Sequence, residues 1–295
     1  MEAVQKVSII IPVKNEADNI KLFLEAIFNQ DYDQGDYEVI IIDDGSQDKS
    51  VDIIREYPVQ LFTEPSNHNP YIARNRGLKV AAGDVIALID VNKVPESDWL
   101  KNGIRSMIES DADLIGGNIR FQLSEKSTAS EIFDAISFND NSKLIETEGA
   151  SVTGNLFFRK EIINEIGFFP EKFRSGMDIW WTREAVRKGF KLAYAEEAIV
   201  RCKPRGFMGV LKKSYRIGKT HPYNQLHGGR SLYEIIWITM RTFAPPRPNV
   251  LRHKVSKLNL NVSVIKIWFV AWLSKIWMGI GRFFGLKHVF RVKID

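Results

Sequence analysis

The sequence predicts an α/β protein: a mostly parallel central sheet flanked by helices on both faces, with a basic, aromatic C-terminal helical extension. Two observations predict the sheet. Short runs of β-branched and aliphatic residues recur through residues 1–120, apolar throughout rather than alternating, as in strands buried on both faces. Between them lie segments with apolar residues at helical spacing, the alternation expected of parallel strands joined by helices. The third observation is charge. Residues 1–200 hold 22 Lys and Arg against 34 Asp and Glu, whereas residues 201–295 hold 19 against only Glu234 and Asp295. An acidic body and a basic tail rich in tryptophan set the expected organisation, an α/β domain over residues 1–225 and a helical segment over 226–295.

Residues 7–11 form a β-branched run closed by Pro12, and residues 16–29 follow with Ile20, Phe23, Leu24 and Ile27 on one helical stripe. Residues 39–42 make a second strand, followed by a turn at 43–46 and a helix to about residue 56. Strands at 59–62, 85–89 and 114–119 continue the series, with helices at 71–82 and 96–109 between them. Beyond these, 124–143 reads as a polar helix and 151–158 as a strand. Helices at 160–166 and 177–188 come next, with Gly189 as the stop of the second, and 191–194 is a late strand. Residues 244–249, with three prolines, read as a linker.

At 295 residues, with 44% hydrophobic and 26% charged residues, the composition excludes disordered, collagen-like and disulfide-scaffold proteins. The single cysteine, Cys202, makes no internal bridge and no Cys-based zinc site, and points to a reducing compartment. The first residues are polar and lead straight into a strand, so no signal peptide is expected.

In such sheets ligands bind beyond the carboxyl ends of the strands, where the polar clusters of this sequence lie. Asp43-Asp44-Gly45-Ser46 follows the second strand. Its carboxylates suit a ribose or base N–H, or equally an Asx-type turn into the next helix. Asp90-Val91-Asn92 ends another strand; an acid there can hold Mg²⁺ or Mn²⁺ against a diphosphate, or simply open the turn before Pro95. Asp178, opening a helix beside Trp180 and Trp181, suits a general base next to a carbohydrate-stacking platform. The other reading is an acid favoured by the helix dipole with tryptophans in the core; neighbouring tryptophans face different sides of a helix, so one of the two is expected to be core.

In order along the chain, Val7-Ser-Ile-Ile-Ile-Pro-Val-Lys-Asn-Glu16, Ile42-Asp-Asp-Gly-Ser-Gln-Asp48, Ala73-Arg-Asn-Arg-Gly-Leu78, Ala82-Gly-Asp84 and Asp90-Val-Asn92 resemble the nucleotide-sugar half of family 2 glycosyltransferases. Thr153-Gly-Asn155, Gly167-Phe-Phe169 and Met177-Asp178 through Gly189 resemble its acceptor half. The resemblance spans about residues 5–220. It implies a GT-A fold, a nucleoside-diphosphate-sugar donor, and inverting transfer to a hydroxyl of a glycan or lipid-linked acceptor. Carried over by position, Asp178 is the general base, and Pro12, Asn15, Glu16, Asp43, Asp44, Arg74 and Asp90 bind the donor. Asn155, Trp180 and Trp181 are placed against the acceptor or sugar, and Asp90 with Asn92 at a Mn or Mg ion. Two positions depart from the family pattern: Asn92 replaces the second carboxylate of Asp-x-Asp, and Met177 replaces the first acid of the Glu-Asp pair. Asn92 brings no charge, so weaker metal binding is expected. Arg201-Cys202-Lys203 stands where a histidine is common, and its cations are suited to offset diphosphate charge. The alternative reading is a catalytically impaired nucleotide-sugar-binding or scaffold protein of a glycan-assembly complex.

Residues 264–285 contain Trp268, Phe269, Trp272, Trp277, Phe283 and Phe284, interrupted by Lys266, Lys275 and Arg282. The charges argue against a spanning helix, and the Trp-rich apolar content suits an interfacial one. A peripheral seat on anionic lipid at the cytoplasmic face of a membrane is therefore expected, with the residues after 249 dispensable for the catalytic fold. The tail carries no recognisable RNA motif, and no nucleic-acid partner is expected.

Overall fold

The computed structural model describes residues 5–64, 69–137, 140–256, 258 and 262–292. The chain runs β1 (Val7–Val13), α1 (Ile20–Phe28), β2 (Tyr37–Asp43), α2 (Ser50–Ile54), β3 (Gln60–Thr63), α3 (Pro70–Val80) and β4 (Val85–Ile89). It continues through β5 (Lys93–Pro95), α4 (Trp99–Glu109), β6 (Leu114–Phe121), α5 (Ala129–Ser137), α6 (Asn141–Glu148), β7 (Asn155–Arg159) and α7 (Ile162–Ile166). The remainder is α8 (Met177–Arg187), β8 (Leu192–Cys202), α9 (Phe207–His227), α10 (Leu232–Thr242), α11 (Pro248–Ser256) and α12 (Val264–Val292).

Among the described residues the strands form one sheet in the order β3-β2-β1-β4-β7-β6-β8-β5. Helical crossovers keep β3, β2, β1 and β4 parallel, as the sequence predicts, with Val13 opposite Asp43 and Ile10 opposite Leu88. The other half is mixed: β7 runs antiparallel to both β4 and β6, and β5 antiparallel to β8. Residues Asn155 to Phe158 of β7 are as deeply buried as the parallel strands, so apolar content carries no sign of their direction.

The chain divides into two compact units, residues 1–120 with 139–202 and residues 121–138 with 203–295. The boundary expected at residue 225 therefore falls inside α9, and the single helix expected over 124–143 breaks into α5 and α6, one in each unit. The first unit is built on Ile9, Ile10 and Ile11 of β1, Ile40 and Ile41 of β2 and Leu88 of β4, all without solvent contact.

The second unit has its own core. Ile132 and Phe133 of α5 meet Val210 of α9, Leu251 and Val255 of α11, and Ile267, Val270 and Ala271 of α12. Residues beyond 249 are thus part of the core of this unit, which also takes in residues 203–225 of the expected α/β domain. α9 and α12 touch backbone to backbone. A Cβ added at Gly218, Gly281 or Gly285 would lie 2.2–2.3 Å from the carbonyl oxygen of Met278, Tyr215 or Lys219. Only glycine permits that approach, which aqueous and membrane helix pairs both use. The hydroxyls of Ser214 and Ser274 meet across the same crossing at 2.7 Å. Buried Arg282 donates to Thr239 Oγ1 and Gln225 Oε1, joining α10 and α9 to α12. Tyr233, Trp237 and Met240 of α10 and Ile265, Phe269 and Phe283 of α12 remain exposed. By length and composition alone, Val264–Lys287 is long and apolar enough to cross a membrane.

Candidate active site

The site lies in the first unit, at the carboxyl ends of β1, β2 and β4. Pro12 and Val13 end β1 beside Ile42 and Asp43 of β2. After β1 the chain turns through Asn15, whose φ of 51° lies in the left-handed region that asparagine tolerates. That turn is latched to the one after β2. Ser46 Oγ accepts from Asn15 N, Asn15 Oδ1 accepts from Gln47 N, and Ser50 Oγ accepts from Glu16 N. Both oxygens of buried Asp43 accept from Ser46 N while Gly45 takes φ 72°, so Asp43 closes the turn. Asp44 sits close by with its carboxylate 3.9 Å from Lys14 Nζ. Burial raises the Glu16 carboxyl, the hydrogen bond from Asn19 opposes this, and the nearby Asp90 and Asp48 charges add to the rise.

α3 supplies the next layer. Asn69 caps its N-terminus by accepting from Tyr71 N, Pro70 takes the first helical position, and Tyr71 and Arg74 then share one face. Asn75 fixes the helix to the segment before α8, donating to Phe169 O and Glu171 Oε1 and accepting from Phe169 N. Arg74 lies over the Tyr71 ring and donates to Asp90 Oδ1 at 2.6 Å. Lys93, one turn past Asp90, donates to the other oxygen, Oδ2, at 2.6 Å and to Asn92 Oδ1 at 3.0 Å. Burial alone would raise the Asp90 carboxyl, but the Lys93 ammonium and Arg74 guanidinium overcome it and hold the group far below the usual carboxylate range.

The metal pair implied by the resemblance was Asp90 with Asn92. A hard cation of the Mg²⁺ class wants about six oxygen ligands, carboxylates among them. Here the single carboxylate and the amide oxygen already face two cations of the chain, and no group of three or more His, Cys, Asp or Glu suited to a metal occurs among the described residues. As arranged, these residues do not fit such an ion.

Asp178 lies in the first turn of α8, after Gly176 at φ 79°. Tyr71 donates its hydroxyl proton to Asp178 Oδ1 at 3.0 Å, and the same hydroxyl oxygen accepts from Met177 N and Asp178 N. Thr153 N donates to Asp178 Oδ2 at 3.3 Å. Burial first, and then the Asp178 charge, push the Tyr71 phenol well above its ordinary value, so it stays a proton donor. Asp178, Tyr71, Arg74, Asp90 and Lys93 thus form one continuous contact chain across the strand ends.

Two expected acceptor residues lie elsewhere. Asn155 has no solvent exposure; its Oδ1 accepts from the Trp99 indole and its Nδ2 donates to Asn118 O and Ala198 O. Both amide N–H donors are used in pinning neighbouring strands, and the buried side chain offers no surface to a sugar. Trp181 is fully buried against Phe158 and Phe169 and donates to Gly167 O, so it is core, as one of the two tryptophans had to be. Trp180 keeps partial exposure. Arg201 pairs with Glu96 at 2.8 Å, and Cys202 is buried. Sequence reasoning missed Tyr71 and Lys93. The position of Lys93 three residues after the strand-end acid was the available signal.

The family model described as glycosyl transferase family 2 matches residues 8–167. The chain is 32% identical over 298 residues to the glycosyltransferase AglE of Haloferax volcanii, covering 97% of this chain and 96% of that one. It is 31% identical, over 63% of each chain, to a dolichyl N-acetyl-α-D-glucosaminyl phosphate 3-β-D-2,3-diacetamido-2,3-dideoxy-β-D-glucuronosyltransferase of Methanococcus voltae. Among solved structures it resembles the mannosyltransferase PcManGT of Pyrobaculum calidifontis in complex with GDP-Man and Mn²⁺, with a TM-score of 0.65 at 15% identity over 97% of this chain and 88% of that one. It also resembles S. aureus TarS 1–349 in complex with UDP-GlcNAc, with a TM-score of 0.55 at 20% identity over 72% of this chain and 66% of that one. The sheet, the strand-end acids and these likenesses agree: the fold is of the GT-A type, and the chain is a glycosyltransferase belonging to glycosyl transferase family 2.

Proposed function

We propose that the enzyme moves a sugar from a nucleoside-diphosphate-sugar to a hydroxyl of a glycan or lipid-linked acceptor, with inversion at the anomeric carbon. The observation that carries the proposal is the α3 pair Tyr71 and Arg74, one touching Asp178 and the other Asp90. A single helix so ties an acid suited to the acceptor to an acid suited to the donor. In the proposed step the acceptor oxygen forms a bond to the anomeric carbon while the bond from that carbon to the diphosphate oxygen breaks. The bonding pair leaves on the diphosphate, and the hydroxyl proton passes to the Asp178 carboxylate. No covalent intermediate on the enzyme is required. Asp44, Glu16 and the latched turns at Asn15 and Ser46 line the donor side, and half-buried Trp180 is the aromatic candidate for the acceptor.

The lipid-linked class is favoured by the dolichyl phosphate acceptor in the name of the Methanococcus voltae relative and by the exposed apolar side chains of α10 and α12. With Arg230, Arg241, Lys266 and Lys275 in the same helical unit, these suit a peripheral seat on anionic lipid at the cytoplasmic face. The test is a thermal-shift screen of nucleoside-diphosphate-sugars, followed by transfer to a polyprenyl-phosphate-linked sugar with the anomeric configuration of the product read by NMR. Retained configuration overturns the inverting mechanism, and no stabilisation by any sugar nucleotide overturns the donor class.

A further inference from the structure

We propose that Lys93 is the resident cation of this site: its ammonium takes the place that a divalent ion would occupy between Asp90 and Asn92, and it neutralises the donor diphosphate, so that donor binding needs no metal. The inference rests on the donor class proposed above.

Three observations carry it. The first is position. Lys93 Nζ lies 2.6 Å from Asp90 Oδ2 and 3.0 Å from Asn92 Oδ1, bridging the two side chains that an Asp-x-Asp motif would turn on a metal. An ammonium has three N–H donors; two are engaged here, and the third is available to a phosphate oxygen. The second is that the surroundings are shaped for it. Lys93 is only 4% exposed, and a Cβ at Gly154 would lie 2.4 Å from Lys93 Cε and 2.8 Å from Nζ, so glycine at that position makes room for the side chain. Thr153, the residue before that glycine, touches Asp178, so one short segment fits both ends of the site.

The third is charge. Within hydrogen-bond contact, Asp90 brings one negative charge and Arg74 and Lys93 two positive ones, an excess of one positive charge in that cluster, with the Glu16 carboxylate outside hydrogen-bond contact but near enough to couple to Asp90 and Lys93. A second carboxylate at position 92 would cancel that excess, which gives Asn92 a physical role. Arg74 Nε is buried and without a hydrogen-bond partner, although the same guanidinium donates to Asp90 through Nη2. A buried charged N–H of this kind is costly unless a ligand meets it. In the transfer step Lys93 exchanges no proton. The electron pair that leaves on the diphosphate is stabilised by the fixed ammonium and guanidinium, and the acceptor proton still goes to Asp178.

The experiment uses full-length protein stripped of metal by chelation, its metal content checked by mass spectrometry. Binding of UDP, GDP, ADP, CDP and dTDP is measured by calorimetry in excess EDTA and again with Mn²⁺. The expected result is at least one diphosphate bound in EDTA with a Kd within about threefold of its Mn²⁺ value. Lys93→Met should weaken that diphosphate by about tenfold or more in EDTA while changing affinity for the parent nucleoside by less than about threefold, a split that a general structural defect does not produce. Lys93→Met combined with Asn92→Asp should regain affinity with Mn²⁺ alone. Wild-type binding that requires Mn²⁺ overturns the inference and leaves the donor class standing, and it decides the matter even if the variants do not fold. Unchanged diphosphate affinity in folded Lys93→Met overturns it as well. Binding of no nucleoside diphosphate under either condition overturns the donor class and this inference together.

Discussion

Asp178 gains its place from neighbours far away in sequence, and substitutions among them separate chemistry from binding. Asp178→Asn keeps the size and most of the hydrogen bonds of the side chain but removes the base. Transfer should fall by about 10²–10⁴-fold with donor affinity within a few-fold of wild type, measured by transfer kinetics beside calorimetry. Tyr71→Phe removes the hydroxyl that donates to Asp178 Oδ1 and accepts from Met177 N. A loss of about tenfold in kcat is expected, with KM for the donor little changed, because the defect lies on the acceptor side. Asp44→Ala should instead weaken the donor by about ten- to a hundred-fold in calorimetry. At this scale the sequence was informative about strand-end acids and poor about depth. Asp90 and Asp178 could be singled out because their motifs follow a strand or open a helix, whereas Arg74, inside α3, came only from the family resemblance. Asn155 and Trp181 were misplaced because residue type does not reveal that an asparagine will be fully buried with both amide donors used inside the sheet, or which of two adjacent tryptophans faces inward.

Among the elements, the parallel strands were legible since each is an unbroken apolar run, whereas β5 has three residues and no pattern to detect. The helix expected over 124–143 divided because α5 buries Ile132 and Phe133 in one core while Asn141 of α6 donates to Gly117 O in the other unit's sheet. The crossing of α9 and α12 makes a direct prediction. Gly281→Ala puts a methyl 2.2 Å from Tyr215 O, and the helices must separate. The second unit should lose about 1–3 kcal/mol or more in denaturant unfolding, while Gly209→Ala, which meets only the Arg205 side chain at 3.2 Å, should stay within about 1 kcal/mol. The same helices carry a pH response. Burial and then the Arg282 charge pull His221 on α9 down from 6.5 to about 4. The unfolded chain binds the proton more readily than the folded one between those values, so this contribution is complete above pH about 6.5 and is lost as pH falls toward about 4. It amounts to roughly 2 kcal/mol with allowance for the partial exposure of the residue, and His221→Gln should flatten the dependence of Tm on pH in that window.

Considered whole, the molecule pairs an acidic sheet-based unit with a basic helical one that leaves aromatic side chains in solvent. Full-length protein should therefore sediment with anionic vesicles at low salt and be released at high salt, since each Lys or Arg near such a surface contributes about 1 kcal/mol. Trp237→Ala together with Phe269→Ala should weaken sedimentation without changing diphosphate affinity.

The helical unit is discontinuous in the chain, and this has a consequence during synthesis. α5 leaves the ribosome early, but the Ile267 and Val270 that cover its apolar face follow some 130 residues later. At about 5–20 residues per second, Ile132 and Phe133 wait on the order of ten seconds for their partners while the residues of the first unit between 139 and 202 emerge and find their sheet. A nascent chain stalled near residue 230 should accordingly hold a protease-resistant sheet unit beside a cleavable α5, and release to full length should protect that helix.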